Sequence, residues 1–170
     1  SSCAHVEWSE PALLYSVGKA GEEINSLRCA PVSDPTQPDV LVTIGNRGEV
    51  MLLLAPNYTT RVLANDLPGA SSAQVADVNG DGRSDAIVGT TGSGVFWWDV
   101  ANDKRHAVEG SSAMATITMI WSGDLDKDGD VDLVVGATGG DYSVAYFENN
   151  GDGAGLPRER PRAAAGRRDD

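Results

Sequence analysis

Two nine-residue stretches concentrate carboxylates: Asp77-Val-Asn-Gly-Asp-Gly-Arg-Ser-Asp85 and Asp124-Leu-Asp-Lys-Asp-Gly-Asp-Val-Asp132. Each carries an oxygen side chain at loop positions 1, 3, 5 and 9, and a glycine at position 6. In a tightly wound loop, alternate side chains converge on one point. Like charges gathered there repel unless a cation neutralises them. Calcium suits such a site, because it takes about six to eight hard oxygens at roughly 2.3–2.6 Å in flexible geometry. Gly82 and Gly129 supply the sharp turn, and the carbonyls of Arg83 and Asp130 are the natural backbone ligands at position 7. Magnesium prefers a more rigid octahedron, and zinc would want His or Cys, which neither loop has. The competing reading is a pair of polar turns in which each Asp accepts from its own backbone.

These loops are not EF-hands. That motif needs a bidentate Glu at position 12 on an exiting helix. Position 12 here is Val88 or Val135, each within a strand-like run. The related segment Pro31–Asp39 keeps only its last Asp, and prolines replace ligands, so no ion is expected there. Asn150–Gly153 lacks the full spacing and reads as a turn.

The elements around the loops repeat. Asp39, Asp85 and Asp132 each open a short apolar run ending near a glycine, at separations of 46 and 47 residues. A steady period of this length marks a stacked or radial array. In each unit a strand precedes the loop (Ile24–Ala30, Ser72–Val78, Ala115–Gly123) and a second follows it (Val40–Ile44, Ala86–Gly89, Leu133–Gly136). A third comes after a glycine-containing turn (Val50–Leu54, Val95–Val100, Ser143–Glu148), and a weaker fourth fits Thr60–Ala64 and Arg105–Val108. No 3.6-residue apolar period is sustained, so helix should be scarce.

The expected fold is all-β: about three four-stranded antiparallel β-propeller blades, near residues 18–65, 66–110 and 111–155. Three blades do not close a ring, so the propeller is expected to be partial or completed by several chains. A β-sandwich or open β array is the alternative. Residues 156–170 are rich in Arg, Ala and Pro and are expected to be a disordered tail.

The chain has 170 residues, 41% of them apolar, and a formal net charge of -12. Such acidity repels phosphate backbones and argues against nucleic acid as a partner. No apolar run reaches the length of a membrane-spanning helix. Ser1–Glu10 shows no basic start followed by an apolar stretch, and no initiator Met is present, so a processed product or a piece of something longer is expected. Cys3 and Cys29 could form one disulfide or remain two thiols. His5 and His106 sit in no motif, and no nucleophile elbow, phosphate loop or Cys-x-x-Cys occurs, so no enzyme is expected. Trp97 and Trp98 should face opposite sides of a strand. One belongs to the core, and the other either packs against the next blade or stays exposed to stack on a sugar.

The phrases Ala76-Asp-Val-Asn-Gly-Asp-Gly82, Asp132-Leu-Val-Val-Gly136 and Tyr146-Phe-Glu-Asn-Asn-Gly-Asp-Gly153 resemble the FG-GAP/VCBS repeats of integrin-α-type β-propellers. The resemblance covers about Ile24 to Gly153. The Phe-Gly start and Gly-Ala-Pro end of the repeat are not clean, and the first repeat has lost its ligands. The family implies a seven-bladed propeller with structural calcium, working outside the cell or at its surface in adhesion or carbohydrate recognition. By the resemblance Asp77, Asn79, Asp81, Arg83 and Asp85 hold one ion, and Asp124, Asp126, Asp128, Asp130 and Asp132 hold a second. The expected partner is a protein or glycan, with self-association through open blade edges. The alternatives are a propeller part of a secreted polysaccharide-degrading enzyme and a self-assembling lectin.

Overall fold

Each apolar run that follows a repeated aspartate forms the second strand of a four-stranded antiparallel sheet. In the computed structural model, which describes residues 13–16, 22–140, 144–151 and 158–159, the strands fall into three sheets in chain order. The first holds β1 (Ser26–Asp34), β2 (Gln37–Ile44), β3 (Glu49–Leu54) and β4 (Thr59–Ala64). The second holds β5 (Ser72–Ala76), β6 (Asp85–Gly89), β7 (Val95–Asp99) and β8 (Lys104–Ala107). The third holds β9 (Met114–Gly123), β10 (Asp132–Gly140), β11 (Val144–Glu148) and β12 (Arg158–Glu159). A 3-10 turn at Ser111–Ala113 is the only helical element among the described residues, and no helix is long and apolar enough to cross a membrane. The described residues are thus nearly all-β and form three open sheets with no closed barrel among them, consistent with partial propeller blades.

The sheets pack face on face. Leu41, Val50 and Leu52 of the first meet Ala86, Val88 and Trp98 of the second. The opposite face of the second sheet, with Ile87, Val95 and Trp97, meets Leu133, Val135 and Phe147 of the third. Strand β6 therefore has apolar neighbours on both sides, which is why its residues are buried throughout. The adjacent tryptophans split between these cores, Trp97 in one and Trp98 in the other. Both are buried, so neither is left exposed to stack on a sugar. The far face of the first sheet, with Val40, Val42, Ile44, Met51 and Leu53, packs with Tyr15 and Tyr58. The far face of the third leaves Met119, Trp121 and Val144 exposed at 67%, 49% and 69%.

First strands of neighbouring sheets lie side by side. The Ala73 N–H donates to Ser26 Oγ at 3.2 Å. Ser71 Oγ donates to the Ile117 carbonyl at 2.6 Å, and the Ile117 N–H donates to the Thr90 carbonyl at 3.0 Å. Gly89 must be a glycine there, because a Cβ would run into the Ile117 side chain.

Three elements depart from the sequence reading. Strand β1 continues to Asp34, with a register shift between Ala30 and Asp34 around Pro31, which has no N–H to pair. The unliganded segment is thus a strand and a tight turn rather than a loop. Strand β10 runs on to Gly140, through most of an expected turn. Within the expected tail, Arg158–Glu159 pair with Glu148 and Phe147 as β12. The rest of 156–170 lies outside the described residues. So does Cys3; Cys29 is an exposed free thiol on β1.

Candidate metal centre

The last aspartate of each repeat begins strand β2, β6 or β10, or sits near its start, and its carboxylate turns inward. Asp39, Asp85 and Asp132 are all buried. Asp39 accepts the Ser33 N–H at 2.6 Å and the Ala55 N–H at 2.8 Å. Asp85 accepts the Val78 N–H at 3.0 Å. Asp132 accepts the Leu125 N–H at 3.0 Å, the Tyr146 hydroxyl at 3.0 Å and the Asn149 N–H at 2.9 Å. The first sheet keeps this clasp with no acidic loop above it. The ninth position is therefore a structural anchor that ties the loop entering the second strand to its sheet.

Above the anchors, both acidic loops fold alike. In the first, Asp77 accepts from Asp81 N at 3.1 Å and Gly82 N at 2.8 Å, Asn79 from Asp81 N at 3.0 Å, and Asp81 from Arg83 N at 2.8 Å. In the second, Asp124 accepts from Lys127 N at 2.6 Å and Gly129 N at 3.1 Å, Asp126 from Asp128 N at 3.2 Å, and Asp128 from Asp130 N at 2.9 Å. The turns of the competing reading are present, and they order the carboxylates rather than exclude a cation. Asp124, Asp126 and Asp128 are exposed and offer oxygens all within 4.8 Å of one another. Two oxygens that share one ion at about 2.4 Å are at most about 4.8 Å apart, so the triad fits calcium's oxygen shell.

The first loop differs at position 3, where Asn79 stands in place of a carboxylate. Its three aspartates, Asp77, Asp81 and Asp85, do not form such a cluster among the described residues, and Asp77 accepts from its own backbone with both oxygens, as Asp124 does. Asn79 adds an amide oxygen, which also accepts from the backbone. The arrangement supplies oxygen donors: carboxylates, an amide oxygen and backbone carbonyls.

Position 6 is left-handed in both loops, with φ of 83° at Gly82 and 101° at Gly129. Nothing lies within 4 Å of where a Cβ would stand at either glycine. Gly129→Ala should therefore cost backbone strain alone, about 1–2 kcal/mol, readable as a lower midpoint in urea. Position 4 is left-handed too, at Gly80 and, without a glycine, at Lys127.

Two carboxyls of these loops are held above the ordinary range. Burial pushes the Asp85 carboxyl up to about 7; the Val78 N–H opposes the rise, while Asp99, Asp81 and Asp77 add to it. Asp126 is also raised, by loss of solvation and then by Asp128, Asp132 and Glu148, against the pull of the Asp128 N–H. A raised carboxyl holds its proton more tightly in the folded chain, so its cost to stability is absent below the unfolded value and complete above the folded one. In metal-free buffer, stability should therefore fall as pH rises from about 4 to 7. Urea midpoints at pH 5 and 8 check this, and a cation at the first loop should reverse the order.

Asn149 is the residue that the sequence reading did not single out. It is buried, and its side-chain amide donates to the Val78 carbonyl at 2.7 Å and the Val131 carbonyl at 3.2 Å. Its side-chain oxygen accepts the Gly151 N–H at 3.2 Å. Asn-Asn-Gly reads locally as a turn, and a partner 71 residues away leaves no local mark.

Among known families, the model of the FG-GAP-like repeat matches residues 77–135, a span that opens on the first Asp of one loop and closes just past the last Asp of the other. No curated protein matches the chain.

Proposed function

Since residues 77–135 match the model of the FG-GAP-like repeat, we propose that the chain is a non-enzymatic, calcium-binding module of propeller type. The convergence of Asp124, Asp126 and Asp128 carries this reading. Asp124, Asp126, Asp128, the Asp130 carbonyl and Asp132 hold one ion. Asp77, Asn79, Asp81, the Arg83 carbonyl and Asp85 hold the second, and in each loop the first Asp gives up one backbone contact. The ion supplies positive charge and oxygen coordination. The protein's own residues wind the loops, fix the anchors and set the blade edges.

Extracellular calcium modules bind with Kd of about 10⁻⁴–10⁻³ M, and such a setting suits loops of this openness. A protein or glycan is the partner we assign, recognised outside the cell or at its surface. The exposed face bearing Met119, Trp121 and Val144 is the surface available to that partner or to a second copy. Titration calorimetry tests the metal. Calcium should bind at about two ions per chain and magnesium much more weakly, and Asp124→Asn with Asp126→Asn should remove one ion. No calcium uptake by the natural chain would contradict the proposal.

A further inference from the structure

Where the second and third sheets meet, the two acidic loops are joined by a single buried side chain. The Asn149 amide donates to the Val78 carbonyl at position 2 of the first loop and to the Val131 carbonyl at position 8 of the second. The Asn149 backbone N–H donates to Asp132. On the far side, the Val78 N–H is held by Asp85. Both peptides flanking Val78 are thus pinned, one by the anchor of its own loop and one by Asn149. Those peptides set the directions of Asp77 and Asn79. Gly151 closes the turn against the second loop, where a Cβ would collide with the Asp130 carboxylate.

The chemistry requires an amide. Two donors face two carbonyls and one acceptor faces an N–H, a set that carboxylate, hydroxyl and aliphatic side chains all fail to supply. A buried carbonyl left unpaired is costly, so the bridge persists and either loop can move only with the other. The junction between the first and second sheets, with one acidic loop instead of two, has a different side chain at this place. In register Ala86 pairs with Trp98 and Leu133 with Phe147, so Val100 corresponds to Asn149. Val100 packs in the apolar core, and its carbonyl accepts from Arg61. The bridging amide occurs where two acidic loops adjoin.

Resting on the calcium reading above, we propose that Asn149 couples the two loops, so that an ion held in one raises the affinity of the other. Asn149 is a positioning residue here and touches no ion. Coupling is reciprocal by linkage, and typical couplings are about 5- to 150-fold.

The test is a calcium titration followed residue by residue through amide NMR signals, with Gly82 reporting the first loop and Gly129 the second. Asp124→Asn with Asp126→Asn, both at exposed positions, silences the second loop. The affinity at Gly82 should then fall about fivefold or more. In an Asn149→Ala background the same pair should change it by less than about twofold. A loss of stability alone does not produce this difference of differences. Should Asn149→Ala fail to fold, Asp77→Asn with Asp81→Asn gives a second readout. Calcium then binds only in the second loop, and it should still shift the Asn149 side-chain amide and the Asn79 backbone signal. Unchanged Gly82 affinity on silencing the second loop overturns the coupling and leaves the calcium reading standing. Coupling that survives Asn149→Ala overturns the role of Asn149. No calcium uptake by the natural chain overturns the calcium reading and the coupling with it.

Discussion

Asp39→Ala is expected to destabilise the chain by about 3–5 kcal/mol, and by the same amount in calcium and in chelator. The carboxylate is buried and accepts two backbone N–H groups, Ser33 at 2.6 Å and Ala55 at 2.8 Å. Hydrogen bonds to a charged group contribute about 1.5–3 kcal/mol each, and alanine leaves both donors unpaired. The first sheet has no acidic loop above Asp39, so the loss has no metal component. Chemical denaturation with and without calcium measures it. A cost that shrank in chelator would show that Asp39 belongs to a cation site after all.

Chelation of the natural chain is the second large effect. With Kd near 10⁻⁴ M and calcium near 10⁻³ M, each filled site contributes about 1.4 kcal/mol. Two sites contribute about 3 kcal/mol. For a chain of this size each kcal/mol moves the melting temperature by about 2–4 °C, so removing calcium should lower it by about 6–11 °C. Magnesium at the same concentration should restore little, because its smaller octahedral shell keeps its waters. Scanning calorimetry in calcium, magnesium and chelator reads all three. A melt identical in all of them would leave the aspartates as turn formers only.

The second strands were legible in the sequence for a physical reason. Val40–Ile44 and Ala86–Gly89 are buried on both faces, so their apolar runs are nearly unbroken, and Leu133–Gly136 keeps the same pattern although Val134 and Gly136 are only half-buried. The repeated aspartate was legible as well, though its role was read incompletely. Spacing marked it as a ligand, and only the first sheet, where the clasp persists without a loop, reveals the anchor. Strand β12 was hidden because Arg158 and Glu159 join the sheet by backbone pairing, with no apolar signal of their own. Pro31 masked the continuation of β1, since proline reads as a breaker while the chain absorbs it as an irregularity in pairing. The bridge through Asn149 depends on two sheets meeting, a fact that local spacing does not carry. The one difference in ligand type between the loops was legible, with Asn79 standing where the second loop has Asp126; the backbone contacts that occupy both oxygens of Asp77 and of Asp124 show only in the folded chain.

A crystal structure with calcium, or with a lanthanide in its place, tests calcium binding at the two loops, using anomalous scattering to locate the ions. One peak should be bounded by Asp124, Asp126 and Asp128, a second by Asp77, Asn79 and Asp81, and none should lie beside Asp39. Two ordered loops without a peak, at millimolar ion, would contradict calcium binding.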